Sequence, residues 1–385
     1  MKTAQRNNYF AVFTAGLIGY LWGISLEILP LRAIIFIPVL WAKTSNRWIA
    51  GLVPAIYALL ATRGFISGAA IFFEKSLILG IFIWLIAAIP HYLAGTLLWF
   101  KNPQYRYFLG IPLLCLVWTL PPLMFVGWAN PLLSAGLWFP KLGFLALALT
   151  LVLMIFFAKV KNLKFLVLIP ITVLISAYCR YEKPQINNLN GWTVHNSNFS
   201  SQPKNTAYEL LERQRQLINS IKDTNTIHIF PEMVSGSWDN FLANYWISSI
   251  HSNNKVLLGA YIFENNNYHN VVIKIDKNSK IIYRQRFPMT LGMFNPFSPT
   301  HFPIHSKEKS VINIDNQKVG FLLCFEQVIL LPMLQTLRDK PNLIVASSNL
   351  WWSPKSLQLA QRQSLRLFQS LIGVPVLESI NGVKL

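Results

Sequence analysis

Three short segments in the second half of the chain carry side chains that could do covalent chemistry. Gly320-Phe321-Leu322-Leu323-Cys324-Phe325-Glu326 runs an apolar strand into a cysteine, with a helix predicted just beyond. A thiol at a strand-to-helix turn lies near unpaired backbone N–H groups, which favour the thiolate and can bind an oxyanion. Phe230-Pro231-Glu232 places a carboxylate directly after a second buried strand, where burial raises its pKa toward the working range of a general base. Tyr283-Arg284-Gln285-Arg286-Phe287-Pro288-Met289 closes a hairpin strand with two cations that could contact an anion or oxyanion. Each segment alone also has an ordinary reading: an inert buried thiol, an exposed strand-end carboxylate, solvated charge. There is no HExxH, CxxC, P-loop or GxSxG motif. His301 and His305 have helical spacing, but Pro303 separates them, so neither a metal pair nor a cofactor is expected.

The elements that must position these segments are legible from residue 186 onward. After an Asn-rich linker, strands are predicted at 192–194, 227–230 and 255–261, with a helix over 206–221. A hairpin joins 270–275 to 281–283, and a second joins 311–314 to 318–323 around Asp315-Asn316. A helix over 328–338, a strand at 343–346, a helix over 357–372 and a strand at 374–377 complete the pattern. Strands alternating with helices predict a layered α/β domain with a mixed sheet.

Residues 1–180 are different in kind. They hold two acids, Glu27 and Glu74, and eight of the 13 Trp. Over the whole 385-residue chain only 13% of residues are charged, against about a quarter in an ordinary soluble domain. Apolar runs at 9–25, 48–62, 77–100, 107–128, 142–158 and 165–177, with an interrupted one at 27–42, predict six to seven membrane spans. With seven spans and the N-terminus inside, inner segments carry nine Lys and Arg and outer segments five, the sense of the positive-inside rule. The region after 180 then lies outside the cytoplasmic membrane. Most of the basic excess in this half of the chain, whose overall net charge is +19, is thus topogenic, and no direct nucleic-acid partner is expected. Three cysteines, at 115, 179 and 324, cannot build a disulfide framework.

Taken in order, Pro231-Glu232, the hairpin ending in Tyr283, Leu323-Cys324-Phe325-Glu326 and Ser347-Ser348-Asn349-x-Trp351-Trp352 resemble the nitrilase, or carbon–nitrogen hydrolase, superfamily. A polytopic half fused to such a domain is similar to apolipoprotein N-acyltransferase. Tyr283-Arg284-Gln285-Arg286-x-Pro288, followed by Phe294 and Pro296, resembles more closely the TraB family of conjugal transfer, a relative of that enzyme. The resemblance implies a polytopic α-helical membrane domain over 1–185 and a layered α-β-β-α nitrilase-like domain over 186–385. It implies Glu232 as general base, Cys324 as thioester-forming nucleophile, the Phe325 N–H as oxyanion donor and Glu326 as orienting group. Trp351 and Trp352 would line the substrate cleft. The family's catalytic Lys falls at Gln285, so Arg284 and Arg286 are the candidate substitutes. Two further departures are Met293, where the acyltransferase pattern carries a Glu, and the end at Leu385, where relatives continue with more strands. The implied partners are membrane lipid or lipoprotein and conjugation-apparatus proteins. The implied place is a bacterial inner membrane with the nitrilase-like domain on the periplasmic side. Three functions compete: a TraB-like membrane protein of conjugative transfer with weakened thioester chemistry, a working apolipoprotein N-acyltransferase or amidase, and a non-catalytic membrane scaffold.

Overall fold

The computed structural model describes residues 2–160, 189–199, 207–251 and 253–382. They fall into two compact units. One comprises Met1–Pro184 with Val328–Leu331 and Ser353–Gly373; the other comprises Gln185–Gln327, Pro332–Trp352 and Val374–Leu385.

Among the described residues the second unit has nine strands in two sheets. Strands β1 (Trp192–Val194), β2 (Ile227–Ile229), β3 (Lys255–Glu264), β4 (Asn267–Ile275) and β5 (Ser279–Arg284) are hydrogen-bonded in that order, parallel to β3 and antiparallel after it. Strands β6 (Val311–Ile314), β7 (Gln317–Leu323), β8 (Leu343–Asn349) and β9 (Val376–Asn381) form the other sheet. The sheets share a core in which Ile229, Leu257, Val272 and Tyr283 meet Phe321, Leu323, Val345 and Leu377. Residues of opposite parity, Val256, Leu258 and Ala260 on β3, bury against Leu217 and Trp246. Those two residues come from the helices Ala207–Asn219 and Asn240–Ser249. Both faces of β3 are therefore apolar, the mark of an inner strand of a layered fold. On the second sheet, Gly320 leaves room for Thr336 of the helix Leu330–Arg338; a Cβ at Gly320 would lie 2.7 Å from its methyl group.

The sequence pattern anticipates most of these elements. The polar turn expected at Asn265-Asn266-Asn267 is present, with Asn265 and Asn266 both left-handed (φ 51° and 60°); it joins β3 and β4 as a tight hairpin, a pairing the pattern does not give. The pattern also misses the helix Asn240–Ser249, although Asp239 caps it by accepting from Leu242 N at 2.9 Å.

In the first unit, one helix among the described residues, Leu77–Leu97, is long and apolar enough to cross a membrane. Arg47–Ala61 and Phe65–Phe72 meet the same test only together and are bent by 57°. The apolar segments Leu29–Ala42 and Phe144–Lys159 are shorter. The six to seven spans expected from the sequence are thus not matched by as many long helices. The run at 107–128 shows why. Its helix Ile111–Thr119 follows a π turn and ends at an extended Leu120, just before Pro121 and Pro122. Proline has no N–H to continue the ladder, so hydropathy there does not become helix length. The run at 165–177 and Cys179 lie outside the described residues.

The helix Lys355–Ile372 is part of the first unit. Its Gln363 Oε1 accepts from Gly23 N at 2.7 Å, and Arg366 donates to Leu26 O at 2.7 Å. A Cβ at Gly136 would lie 2.2 Å from Leu367 O, so the backbones there are in close contact.

Candidate active site

Glu232 stands just past the end of β2 in a turn that rests on β3. Phe230 N donates to Leu257 O and Ser235 N to Gly259 O, at 2.9 and 3.1 Å. Met233 is left-handed at φ 51°. The turn can lie this close because residue 259 is glycine. A Cβ there would sit 2.1 Å from Pro231 O and 2.6 Å from Glu232 Cα. The Glu232 side chain is buried, with Oε2 accepting from Asn349 N at 2.8 Å and Oε1 accepting from Asn270 Nδ2.

Cys324 follows β7, left-handed at φ 42°, and opens the 3₁₀ turn Cys324–Gln327. Gln327 ties that turn to β8 through Ser347 O (3.1 Å) and Ser348 Oγ (2.9 Å). The thiol hydrogen-bonds the Glu232 carboxylate and lies beside the backbone N–H groups of Asn349 and Phe325. Burial pushes the Glu232 carboxyl up to about 7, against the pull of its hydrogen bonds to Cys324, Asn349 and Asn270. The thiol is pushed well above its usual range, first by burial and then by the adjacent Glu232 carboxylate. This corrects the expectation of a favoured thiolate: the two N–H groups act in that sense, but burial and the carboxylate outweigh them. The resting pair is a thiol sharing its proton with a base, not a free thiolate.

Gln285 enters the site as a neutral link. Its Oε1 accepts from Asn270 Nδ2 and its Nε2 donates to Leu323 O, both at 3.0 Å. Asn270 thus bridges Glu232 and Gln285 with one amino group, while its buried Oδ1 has no partner. Nothing in the motif order points to Asn270. The signal was parity: Asn270 shares a face of β4 with Val272, which faces the core between the sheets, and a polar residue there must be bonded.

The two arginines lie elsewhere. Arg284 is on the strand edge and pairs with Glu264 at 3.0 Å. Arg286 is buried and fully engaged. It pairs with Glu326 (3.4 Å) and donates to Tyr283 Oη, Pro332 O, Gln335 Oε1, Phe321 O and Thr336 Oγ1. Neither points its guanidinium along the Gln285 direction. Glu326 is held just as fully, by Tyr283 Oη (2.8 Å), Leu323 N (2.9 Å), Arg286 N (2.7 Å) and Phe287 N (3.3 Å). It fixes the hairpin end against the Cys324 turn. The apolar wall at the thiol is Leu350 and Ile380, neither singled out from the sequence. Trp351 is half-buried and Trp352 buried. Among the described residues no cluster of three metal-ligating side chains occurs.

A buried Glu–Cys pair at the ends of two strands, one from each sheet of an α-β-β-α unit, resembles the carbon–nitrogen hydrolase class. Along most of its length the chain is similar to TraB proteins. It is 29% identical to the probable conjugal transfer protein TraB of Sinorhizobium fredii, over 89% of this chain and 90% of that one. It is 27% identical to the conjugal transfer protein TraB of Agrobacterium fabrum, over 93% and 89%. Among solved structures it resembles a carbon–nitrogen hydrolase from Helicobacter pylori G27, at 15% identity and a TM-score of 0.36, over 50% of this chain and 73% of that one. No protein-family model matches the chain.

Proposed function

We propose that the chain is a membrane-embedded conjugal-transfer protein of TraB type whose α/β unit keeps a Glu232–Cys324 pair able to form a thioester, without the charged third group. The observation that carries this reading is the hydrogen bond between the Cys324 thiol and a carboxyl poised at about 7. In the proposed step, sulfur attacks an acyl carbonyl as its proton passes to Glu232. The Phe325 N–H holds the oxyanion. The bond to the leaving group then breaks, Glu232 returns the proton to that group, and a thioester on Cys324 remains for water or an amine to resolve. Without an ammonium at position 285, roughly 2.7–4 kcal/mol of transition-state stabilisation is missing, so turnover is slow.

The membrane part of the proposal draws support from cations paired with aromatic rings near helix ends. Arg47 lies over Trp48, Arg63 over Tyr20 and Arg106 over Trp99, at 4.8, 4.4 and 4.3 Å from the ring centroids. Such pairs suit the polar–apolar boundary of a bilayer. The α/β unit is proposed to lie on the periplasmic side, with lipid or lipoprotein as acyl source or acceptor and conjugation proteins as partners.

The test is a mass spectrum of the full chain in mild detergent after incubation with phospholipid and with an acylated lipoprotein. An acyl adduct on Cys324 that disappears in Cys324→Ser supports the chemistry. Unchanged conjugation frequency in Cys324→Ser, with no adduct, supports the scaffold instead. A reporter that requires an oxidising compartment, fused near residue 188, should be active; silence there reverses the topology.

A further inference from the structure

The first unit carries an apolar groove of about 660 Å³ between the helix Lys2–Tyr20 and the helix Arg47–Ala61, walled by Tyr9, Phe13, Leu17, Tyr20, Ile56 and Leu60. Its floor exists because residue 16 is glycine: a Cβ there would touch Leu60 and Ile56 at 3.2 and 3.3 Å. Phe13 and Leu17 are 68% and 54% exposed, so none of the described residues covers this face. At one end the Arg63 guanidinium sits over the Tyr20 ring, 4.4 Å from its centroid. One of its nitrogens, Nη1, donates to Trp22 O and Leu60 O, which fixes the group at the groove mouth. Among the described residues no carboxylate pairs with it. An apolar trough closed by a cation with no carboxylate partner among the described residues matches a molecule with a hydrocarbon tail and an anionic head. The length agrees. From Tyr9 to Tyr20 the helix rises about 16 Å, half of a hydrocarbon core of about 30 Å, or one leaflet.

We infer that this groove holds one glycerophospholipid, an acyl chain lying along the helix Lys2–Tyr20 and its phosphate on Arg63. This rests on the membrane reading above and assigns the lipid no part in thioester chemistry. The test uses the full chain in vesicles of phosphatidylethanolamine and phosphatidylglycerol, with a trace of phosphatidylglycerol carrying a diazirine at mid-chain. After irradiation, label should concentrate in residues 9–20 and 56–60, several-fold above that on the helix Leu77–Leu97, whose Ile78 and Phe82 are also exposed. Arg63→Gln should lower groove labelling about threefold or more, and should leave labelling by the matching diacylglycerol probe unchanged. Leu17→Trp, which fills the trough without touching Gly16, should lower both. Equal labelling of all apolar helices overturns the site, as does disulfide cross-linking of Phe13→Cys between two copies with lipid excluded. Absence of label from Leu77–Leu97 as well overturns the membrane reading itself.

Discussion

Two neighbouring residues of the hairpin end, Gln285 and Arg286, sit in opposite electrostatic regimes. Around Arg286 the interior is fully ionic: a buried guanidinium, a buried Glu326 and a complete set of donors and acceptors. Around Gln285 no cation lies among the described residues: two amides meet the Glu232–Cys324 pair, whose carboxyl is pushed up to about 7. The cation that the sequence offers to the thiol is committed to holding Glu326. The lesson is that a charge close in sequence to a reacting group need not act on it, because a buried charge must be matched where it lies.

The comparison can be broken from its ionic side first. Arg286→Met leaves Glu326 uncompensated in the core, and about 3–5 kcal/mol of stability should be lost. Loss of the folded α/β unit, read as protease sensitivity of residues 207–382, checks this. Arg286→Lys should rescue poorly, since an ammonium cannot span five acceptors.

On the neutral side, Glu232→Gln should remove a pH dependence. The folded carboxyl keeps its proton up to about 7, the unfolded one only to its ordinary 4.5. Stability is therefore full below 4.5, falls as pH rises to about 7 and is level above. The total is about 3 kcal/mol. Thermal midpoints across pH 4–8 should show this slope in the natural protein and not in the variant. The same change should abolish thioester formation yet speed simple alkylation of Cys324 at pH 9, because the neighbouring negative charge is gone.

Gln285→Lys transfers charge from one regime to the other. An ammonium there can donate to Leu323 O and act on Glu232 across Asn270. Both the carboxyl and the thiol should shift downward, and iodoacetamide should label Cys324 about tenfold faster at pH 8. An unchanged profile in a folded variant would mean that the site is insensitive to charge at this position. The smallest effect is expected at the third member of the series. Arg284→Gln breaks a partly exposed pair and should cost about 1 kcal/mol or less, with no change at the thiol.

Much of the α/β unit was legible because strand parity and turn residues are local signals. Cys324 and Glu232 stood out through the order of their segments with Tyr283 and Ser347–Trp352, since the end of an apolar strand alone reads equally as an inert thiol or an exposed carboxylate. Arg286 was not: β5 stops at Arg284, and past that point alternation no longer tells inside from outside. The direction of the thiol's pKa was hidden because it depends first on burial and then on Glu232, some ninety residues away in sequence. Hydropathy overstated the long helices because it weighs composition and ignores where the ladder breaks, as at Leu120 and the two prolines that follow.

Gly259 adds a determinant of another kind. It bears no side chain, yet the turn that carries Glu232 rests on its bare Cα. A screen that reads activity would rank position 259 beside Glu232 and Cys324. A reagent that traps nucleophiles, or a search for reactive side chains, would pass over it. Drift at this position would silence the proposed chemistry while leaving every reactive group in the sequence intact.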